Sequence, residues 1–471
     1  MRLRTVAVPL AVAVAVVGLA VSSGTRSAAP RHGNLAAAAR GVTVRPGIQR
    51  MARASSSLLT TAKCEKRYGF ACYGPTQLER AYALKSLYAE GITGKGRTIV
   101  IVDSFGSPTI RHDLAVFDKA YHLPAPPSLR TIQPAGKVAP YRPTATRAGW
   151  AGETTLDVEY AHAMAPGARI LVVETPVSEE EGTSGFPQIV RAEKYVVNHH
   201  LGAVISQSFS ATEQTFPSGK ALRALRGAYV DAAKHRVTVL AASGDSGAAD
   251  VHTNEIDYYL HPVTSWPDSD PLVTGVGGTQ LHLTATGAHA SPDTVWNDTF
   301  DPAVMTYFTG TTTPSPFAGG GGKSIFFARP AFQNGVASVV GDHRGVPDIA
   351  MSGACNGGVL MYSSYPGDPA GWAPTCGTSE ATPLFAGIVA LAAQYGHHLL
   401  GRINPALYRM SAARDSGIVD VTSGSTTVRF HQNGKIYTVT GAKAAPGYDL
   451  ASGVGTVDGA LFVPQLAAAT R

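Results

Sequence analysis

The serine at position 379 has the sequence context of a nucleophile at the start of a helix. It follows the small-residue turn Gly377-Thr378, and apolar residues at helical spacing come after it. Pro383 is expected in the first turn of that helix, where proline is tolerated. A helix N-terminus presents free N–H groups and the positive end of the helix dipole to a developing oxyanion. The plain alternative is that Ser379 only caps the helix, as serine often does.

A nucleophilic serine needs a base, and the 15 histidines are the first candidates. None of them lies in a Gly/Thr-rich segment that opens a helix. His199-His200 and His397-His398 fall at expected helix ends, whereas His112 and His162 are isolated. Ordinary surface or core positions account for all of these, so a carboxylate becomes the next candidate for the base.

Glu153 and Asp157 are that candidate, because residues four positions apart lie on one face of a helix. On a surface helix, the repulsion between two acids at this spacing destabilises the helix by about 0.3 kcal/mol. If they share a proton, the pKa of one is raised and the pair becomes a usable base and acid. The alternative is a solvated acidic face, although nearby Trp150 and Leu156 favour a drier setting.

Asp245 is the third candidate. It lies in the small-residue turn Ser243-Gly244-Asp245-Ser246-Gly247, directly after an apolar strand pattern. An ionised aspartate beside an oxyanion would oppose catalysis, but a protonated one donates a hydrogen bond to it. Taken alone, Asp245 would be interpreted as a turn residue.

Apolar β-branched runs that alternate with helical patterns predict the elements that position these side chains. The predicted strands are Arg97–Val102, Ile170–Val173, Ala203–Ile205 and Val237–Ala241, and the predicted helices are Glu153–Met164, Phe186–Asn198 and Lys220–His235. Continuous apolar strands imply a parallel sheet that is buried on both faces. We therefore predict a doubly wound α/β fold with a mostly parallel sheet, helices on both faces and a site at the carboxyl ends of the strands. A hairpin is expected around Asn433-Gly434.

The bulk features point to an exported globular protein. The net charge of +6 is spread along the 471 residues without a Lys/Arg cluster, so nucleic-acid binding is not expected. Residues 1–23 combine Arg2 and Arg4, an apolar run and small residues, which predicts a signal peptide and no membrane attachment after its cleavage. An uncleaved anchor is the alternative, but the run is short for a span. Residues 24–63 are predicted to be a linker or short pro-segment, and residues 64–471 the folded domain.

Four cysteines suit an oxidising compartment. Three pairings are possible, and the local pairs Cys64–Cys72 and Cys355–Cys376 are preferred. A zinc site is the alternative, but the chain lacks C-x-x-C spacing and histidines at ligand offsets.

Together these motifs resemble the sedolisin family of serine-carboxyl peptidases from about Tyr73 to the C-terminus. The Gly-Thr-Ser turn, the Glu-x-x-x-Asp helix and the Ser-Gly-Asp-Ser-Gly turn occur in the order of that family. The resemblance implies a subtilisin-like fold, with Ser379 as nucleophile, Glu153 as base, Asp157 as its partner and Asp245 as the oxyanion aspartic acid. It also implies a secreted, monomeric enzyme that hydrolyses peptide or protein substrates at acidic pH.

The family also has a calcium site near its C-terminus, made of oxygen ligands that suit Ca²⁺. The resemblance implies one structural ion, held by the carboxylates of Asp420 and Asp449 and the carbonyls of Val421, Ala445 and Gly447. Ala445 stands where glycine is common, which a backbone ligand tolerates.

Three features depart from the family pattern. The chain has room for only a short pro-segment, and Cys376 stands where serine is usual. Ser208-Phe209-Ser210 replaces a motif that often ends in an aromatic residue and glycine, in a segment that helps to line the substrate cleft of the family. A subtilisin is one alternative, and Ile101-Val102-Asp103-Ser104 resembles the strand that carries its aspartate. In this chain, Asp103 is expected to be a structural cap or a cleft carboxylate. Subtilisins, however, have a histidine helix where Gly152-Glu153 stands here. A catalytically inactive peptide-binding envelope protein is the other alternative, but such proteins normally lose a catalytic residue.

Overall fold

The structure, a computed structural model, describes residues 54–413 and 416–471. The predicted signal peptide and most of the predicted linker lie outside these residues. Within them, the chain is already packed before Cys64, because Ser55 exchanges two backbone hydrogen bonds with Trp372 and Leu59 is buried. The folded part therefore begins earlier than the boundary predicted at Cys64.

The secondary structure of the described residues alternates between strands and helices. The strands are β1 (Cys72–Tyr73), β2 (Thr98–Ser104), β3 (Leu129–Ile132), β4 (Arg169–Thr175), β5 (Val204–Gln207), β6 (Ala211–Thr212), β7 (Thr238–Ala242), β8 (Ser265–Trp266), β9 (Thr274–Gln280), β10 (Thr294–Val295), β11 (Gly322–Ala328), β12 (His343–Val346), β13 (Ile349–Ser352), β14 (Gly358–Ser363), β15 (Gly371–Thr375), β16 (Ile418–Val419), β17 (Val428–Gln432), β18 (Lys435–Val439) and β19 (Thr456–Val457). The α-helices are Thr61–Tyr68, Pro75–Ala81, Lys85–Ala89, Ile110–Tyr121, Ala145–Met164, Phe186–Asn198, Gly219–Ala224, Gly227–His235, Pro302–Thr309, Ala337–Val340, Thr378–Gly396, Asn404–Ser411 and Gly459–Ala469, with short 3₁₀ turns at Glu213–Thr215 and Ala331–Val336.

An eight-stranded sheet forms the centre of the described structure. Its order is β10-β9-β7-β5-β2-β4-β3, and β13 also pairs with β9. Every one of these pairs is parallel except β10 with β9. The four predicted strands are β2, β4, β5 and β7, each within two residues of its predicted bounds at either end. The predicted doubly wound α/β fold is confirmed.

Strand β2 shows how the sequence creates two buried layers. Alternate side chains of a strand point to opposite faces, so Ile99 and Ile101 enter one apolar core while Val100 and Val102 enter the other. Because both faces are covered, the strand is apolar throughout rather than alternating. By the same alternation, Asp103 at its carboxyl end lies on the side of Ile99 and Ile101.

Two long helices share that side of the sheet. We call Ala145–Met164 the acid helix and Thr378–Gly396 the nucleophile helix, and they pack closely against each other. Gly387 permits this approach, since a Cβ there would lie 2.4 Å from the Cβ of Met164. Helices Phe186–Asn198 and Gly227–His235 cover the other side. The single helix predicted over Lys220–His235 is wrong, because the chain forms two helices separated at Leu225 and Arg226.

The predicted cysteine pairing is confirmed, with disulfides Cys64–Cys72 and Cys355–Cys376. The second bond fixes the residue that precedes Gly377, so it tethers the start of the nucleophile helix to the segment after β13. The predicted hairpin is also confirmed, since β17 and β18 pair across Asn433-Gly434, both of which have positive φ. No helix among the described residues has the length and apolar character needed to cross a bilayer.

Candidate active site

The nucleophile turn places Ser379 as the second residue of its helix. Gly377 has φ 127°, a conformation that favours glycine, and the helix begins at Thr378. Ser379 is fully buried, and the N–H groups in the first turn of a helix have no partner within the helix, so they can bind a group outside it. The prediction that Pro383 lies in the first turn is wrong. It is the sixth helical residue, so its missing N–H leaves the Ser379 carbonyl without the usual donor.

The acid helix carries Glu153 and Asp157 in its middle rather than at its start. The sequence predicted a short helix from Glu153, but the helix begins at Ala145, where Thr144 accepts a hydrogen bond from the Arg147 amide. Both acids are completely buried, as is Trp150. The solvated acidic face that was weighed as an alternative is therefore contradicted.

The carboxyls of the acid helix face other carboxyls in a dry environment. Burial raises the pKa of Glu153 well above its usual range, and Asp103 and Asp245 raise it further, whereas the hydroxyls of Ser379 and Ser208 lower it. Burial, then Asp103 and Glu153, likewise raises the pKa of Asp157. Burial raises the pKa of Asp103 to about 7. At neutral and lower pH, this group therefore retains protons that ordinary carboxyls would lose.

The nucleophile and the base are close but not hydrogen-bonded. Ser379 Oγ and both carboxyl oxygens of Glu153 are buried without a hydrogen-bond partner among the described residues. The Ser379 hydroxyl is nevertheless near enough to lower the pKa of Glu153. Catalytic hydrogen bonds are often long without substrate and shorten only when it binds, so the arrangement suits proton transfer from Ser379 to Glu153.

Asp245 reaches the nucleophile turn from the end of β7. Its Oδ1 accepts hydrogen bonds from the Thr378 amide (2.7 Å) and the Thr378 hydroxyl (2.8 Å). The same hydroxyl accepts one from the Gly244 amide (3.1 Å). The two turns that the sequence singled out are thus joined at Thr378, which places a carboxyl beside the first turn of the nucleophile helix.

Sequence reasoning missed three residues near this group or gave them another role. Asp103 was weighed only as a structural cap or cleft carboxylate, and Ser208 only as a cleft-lining residue. Glu179 was not considered; it is buried, and Glu153 and Asp103 raise its pKa after the larger effect of burial. Each of the three follows or ends a parallel strand. This position at the carboxyl end of a strand is the sequence feature that could have indicated a role in the site.

The histidine that lies on the acid helix has a different environment. His162 Nε2 lies 2.8 Å from the Pro124 carbonyl and 3.3 Å from Asp118 Oδ1. It occupies the last turn of the acid helix, more than one turn beyond Asp157. This agrees with its interpretation as an ordinary core residue.

The predicted calcium residues lie together beside the hairpin β17–β18. Asp420 Oδ2 accepts from the Gly447 amide (2.8 Å), and Asp449 Oδ2 accepts from the Ala445 amide (2.9 Å). Ser452 Oγ lies 3.1 Å from Asp449 Oδ1 and 3.5 Å from the Val421 carbonyl. Two carboxylates and nearby backbone carbonyls are hard oxygen donors that fit Ca²⁺. No group of three or more His, Cys, Asp or Glu side chains suited to a metal occurs in residues 54–413 and 416–471.

Buried acids away from this site predict a pH-dependent stability. Glu193, on the helix opposite the nucleophile, is fully buried, and burial raises its pKa well above the usual range. The native state therefore keeps a proton that the unfolded chain loses above about pH 4.3, so the free energy of unfolding falls as pH rises through that window. The loss is about 1.4 kcal/mol for each unit by which the native pKa exceeds the unfolded one.

We expect urea unfolding at intervals from pH 4 to pH 8 to show this decline. The Glu193→Gln variant should lose less stability than the wild type over the same interval, because its amide does not titrate. A free energy of unfolding that is flat or rises with pH in the wild type would contradict the assignment of protonated buried acids.

The fold and site define a subtilisin-like α/β protein with a helix-borne serine and buried carboxyls. Residues 145–424 match the subtilase family. Kumamolisin of Bacillus sp. (strain MN-32) is 30% identical over 401 residues, 84% of this chain and 63% of the relative. Sedolisin of Pseudomonas sp. (strain 101) is 27% identical over 388 residues, 82% of this chain and 60% of the relative. The chain belongs to the subtilase family, and within it the chain is similar to kumamolisin and sedolisin.

A solved structure supports the same conclusion. Pseudomonas sedolisin, a serine-carboxyl proteinase complexed with two molecules of pseudo-iodotyrostatin, superposes with a TM-score of 0.67 and 26% identity. The match covers 84% of this chain and 97% of that one. The chain spans less than two thirds of the length of the two curated relatives.

Proposed function

We propose that this protein is a secreted serine-carboxyl peptidase that hydrolyses peptide bonds through an acyl-enzyme on Ser379. The observation that carries the proposal is the placement of a buried serine in the first turn of a helix, beside one carboxyl pair and facing Asp245. Kumamolisin and sedolisin, to which the chain is similar, support the reaction class. Peptides or proteins are the substrates, and a monomer is the expected active form.

In the proposed mechanism, Ser379 Oγ attacks the peptide carbonyl while Glu153 accepts its proton, with Asp157 beside Glu153 to share the charge. Asp245 carries a proton on Oδ2, the oxygen that Thr378 does not contact, and donates it in a hydrogen bond to the tetrahedral oxyanion. First-turn N–H groups of the nucleophile helix add positive potential there. Glu153 then gives its proton to the leaving amine, and water attacks the acyl-enzyme by the reverse route.

A serine-directed phosphonate combined with a peptide library tests the proposal. A peptidase should be labelled at Ser379 and cleave members of the library at acidic pH. Absence of both would favour the alternative of a catalytically inactive peptide-binding envelope protein. Labelling with an alkaline rate optimum would favour a subtilisin-type mechanism.

We further propose that one structural Ca²⁺ is held by Asp420 and Asp449 through carboxylates, and by Val421, Ala445 and Gly447 through carbonyls. The convergence of these residues and their oxygen chemistry support it. The ion would fasten the segment that carries hairpin β17–β18 to the loop that contains Asp449.

Removal of calcium should lower the melting temperature, because an ion that binds only the native state stabilises it by mass action. At calcium concentrations of 100 to 1,000 times Kd, the loss in EGTA would be about 3 to 4 kcal/mol. Asp449→Ala should lower the melting temperature similarly, and EGTA should then have no further effect on that variant. An unchanged melting temperature in excess EGTA, with no metal detected by elemental analysis, would rule out the site.

A further inference from the structure

The hydroxyl of Ser208 lies where the acid helix meets the nucleophile helix. Ser208 comes directly after β5 and is completely buried. Its Oγ is 2.9 Å from Asp157 Oδ1 and 3.5 Å from the main-chain carbonyl oxygen of Ser379. It also lies near enough to Glu153 to lower the pKa of that carboxyl. The side chain therefore faces the carboxyl pair instead of the substrate cleft that the sequence suggested for it.

The Ser379 carbonyl is available to this hydroxyl because of Pro383. In a continuous helix, that carbonyl would accept a hydrogen bond from the amide four residues later, and proline has no amide hydrogen. The neighbouring Thr378 carbonyl is approached differently, since the Thr382 hydroxyl lies 2.8 Å from it. The Ser208 hydroxyl is therefore placed to donate a hydrogen bond to the Ser379 carbonyl oxygen.

We propose that Ser208 is a positioning residue that connects the Glu153/Asp157 pair to the backbone of the nucleophile. The inference rests on the proposed peptidase function. A serine hydroxyl has one hydrogen to donate and lone pairs to accept. When Asp157 is ionised, the Ser208 hydroxyl donates to it. When Asp157 is protonated, its carboxyl donates to Ser208 Oγ, and the Ser208 hydrogen turns to the Ser379 carbonyl. Protonation of the pair and support of the nucleophile are coupled through this one hydroxyl.

Four other ionisable groups act on the same pair and set the background against which Ser208 is tested. Asp103 from β2, Asp245 after β7 and Glu179 after β4 all act electrostatically on Glu153, and Asp103 also acts on Asp157. Glu174 on β4 influences the pair through Asp103. All four are carboxyls, and all of them disfavour ionisation of their neighbours. The Ser208 hydroxyl has the opposite effect, because donation to a carboxylate favours the ionised form.

Ser208→Ala should therefore lower kcat by about tenfold to a hundredfold with KM nearly unchanged, the scale of one lost hydrogen bond to a charged group. Because the pair then ionises less readily, the acid limb of kcat/KM should move to higher pH. Ser208→Thr keeps the hydroxyl and should restore part of kcat and the position of the acid limb.

Ser206→Ala is the matched control. Ser206 lies two residues earlier on the same side of β5, and its buried Oγ has no hydrogen-bond partner among the described residues. Three results would overturn the proposal: kcat of Ser208→Ala equal to that of the control, a fall in kcat with an unmoved acid limb, or a rise in KM alone, which would indicate contact with substrate.

An infrared titration separates this proposal from the peptidase function. In a Ser379→Ala background, Ser208→Ala should change the frequency of the infrared band of the protonated carboxyls. It should also move the midpoint of their titration to higher pH. Ser206→Ala should do neither. If the wild type shows no Ser379-dependent hydrolysis, the proposed function fails, and this titration still decides whether Ser208 is coupled to the acid pair. An identical titration in the two variants would reject that coupling.

Discussion

Ser379→Ala should abolish peptide hydrolysis while the protein remains folded. The Ser379 hydroxyl is buried in the first turn of the nucleophile helix, where we propose that it forms the acyl-enzyme. A nucleophile that acts as part of a unit contributes several orders of magnitude to kcat, up to about 10⁶-fold. The substitution removes one buried oxygen atom that has no hydrogen-bond partner in the described structure, so the melting temperature should change little. Steady-state hydrolysis of a fluorogenic peptide measures the effect.

Two controls make that result specific. The variant should no longer react with a serine-directed phosphonate, and Ser206→Ala, which also removes a buried partnerless hydroxyl, should retain activity. Turnover by purified Ser379→Ala within about tenfold of the wild type, with a contaminating protease excluded, is far above the level that loss of a nucleophile permits and would exclude Ser379 as the nucleophile.

Asp245→Ala should lower kcat by roughly a hundredfold or more, the usual effect of removing one oxyanion donor. Asp245→Asn offers the sharper comparison, because an amide donates a hydrogen bond without needing a proton. Its activity, although lower, should extend to higher pH than that of the wild type. An Asp245→Asn profile that falls at the same alkaline pH as the wild type would show that Asp245 does not limit activity through its proton.

The same residues explain why the wild type should work in acid. Glu153 must be ionised to accept a proton, and burial and Asp103 raise its pKa, so the acid limb lies above the value of about 4 typical of free carboxyls. Asp103, with a pKa of about 7, ionises as pH rises past neutrality and adds a negative charge beside the acid pair. Asp245 must also retain its proton. An optimum between about pH 4 and pH 7 therefore follows.

The local signals in the sequence were sufficient for the strands, the nucleophile turn and the disulfides. Strands β2, β4, β5 and β7 are buried on both faces. Such strands are continuous apolar runs, which can be recognised from the local sequence alone. Helix boundaries were predicted less well. Gly149 and Gly152 have low helix propensity, yet the acid helix continues through both, because packing against the nucleophile helix outweighs local preference. Arg226 lies between the two helices that were predicted as one, and its side chain pairs with Asp270, which is far from it in the sequence.

Local sequence patterns could not predict which side chains come together at the site. Asp103, Ser208 and Asp245 follow or end three different strands, and they meet only because β2, β5 and β7 are neighbours in the sheet. The sequence indicated each strand separately, and only the resemblance joined Asp245 to Ser379. Ser208 was assigned to the cleft because the matching segment of the family helps to line it, whereas the Ser208 hydroxyl lies 2.9 Å from Asp157 Oδ1 on the acid helix.

The pH dependence of peptide hydrolysis by the wild type tests the carboxylate mechanism most directly. Initial rates should be measured from pH 3 to pH 9 with one internally quenched peptide, and the rates of Ser379→Ala should be subtracted. We predict a bell-shaped profile with its maximum in acid and little activity at pH 8, because ionised Glu153 and protonated Asp245 coexist only there. A rate that rises through pH 7 to an alkaline plateau, as a histidine base gives, would contradict it.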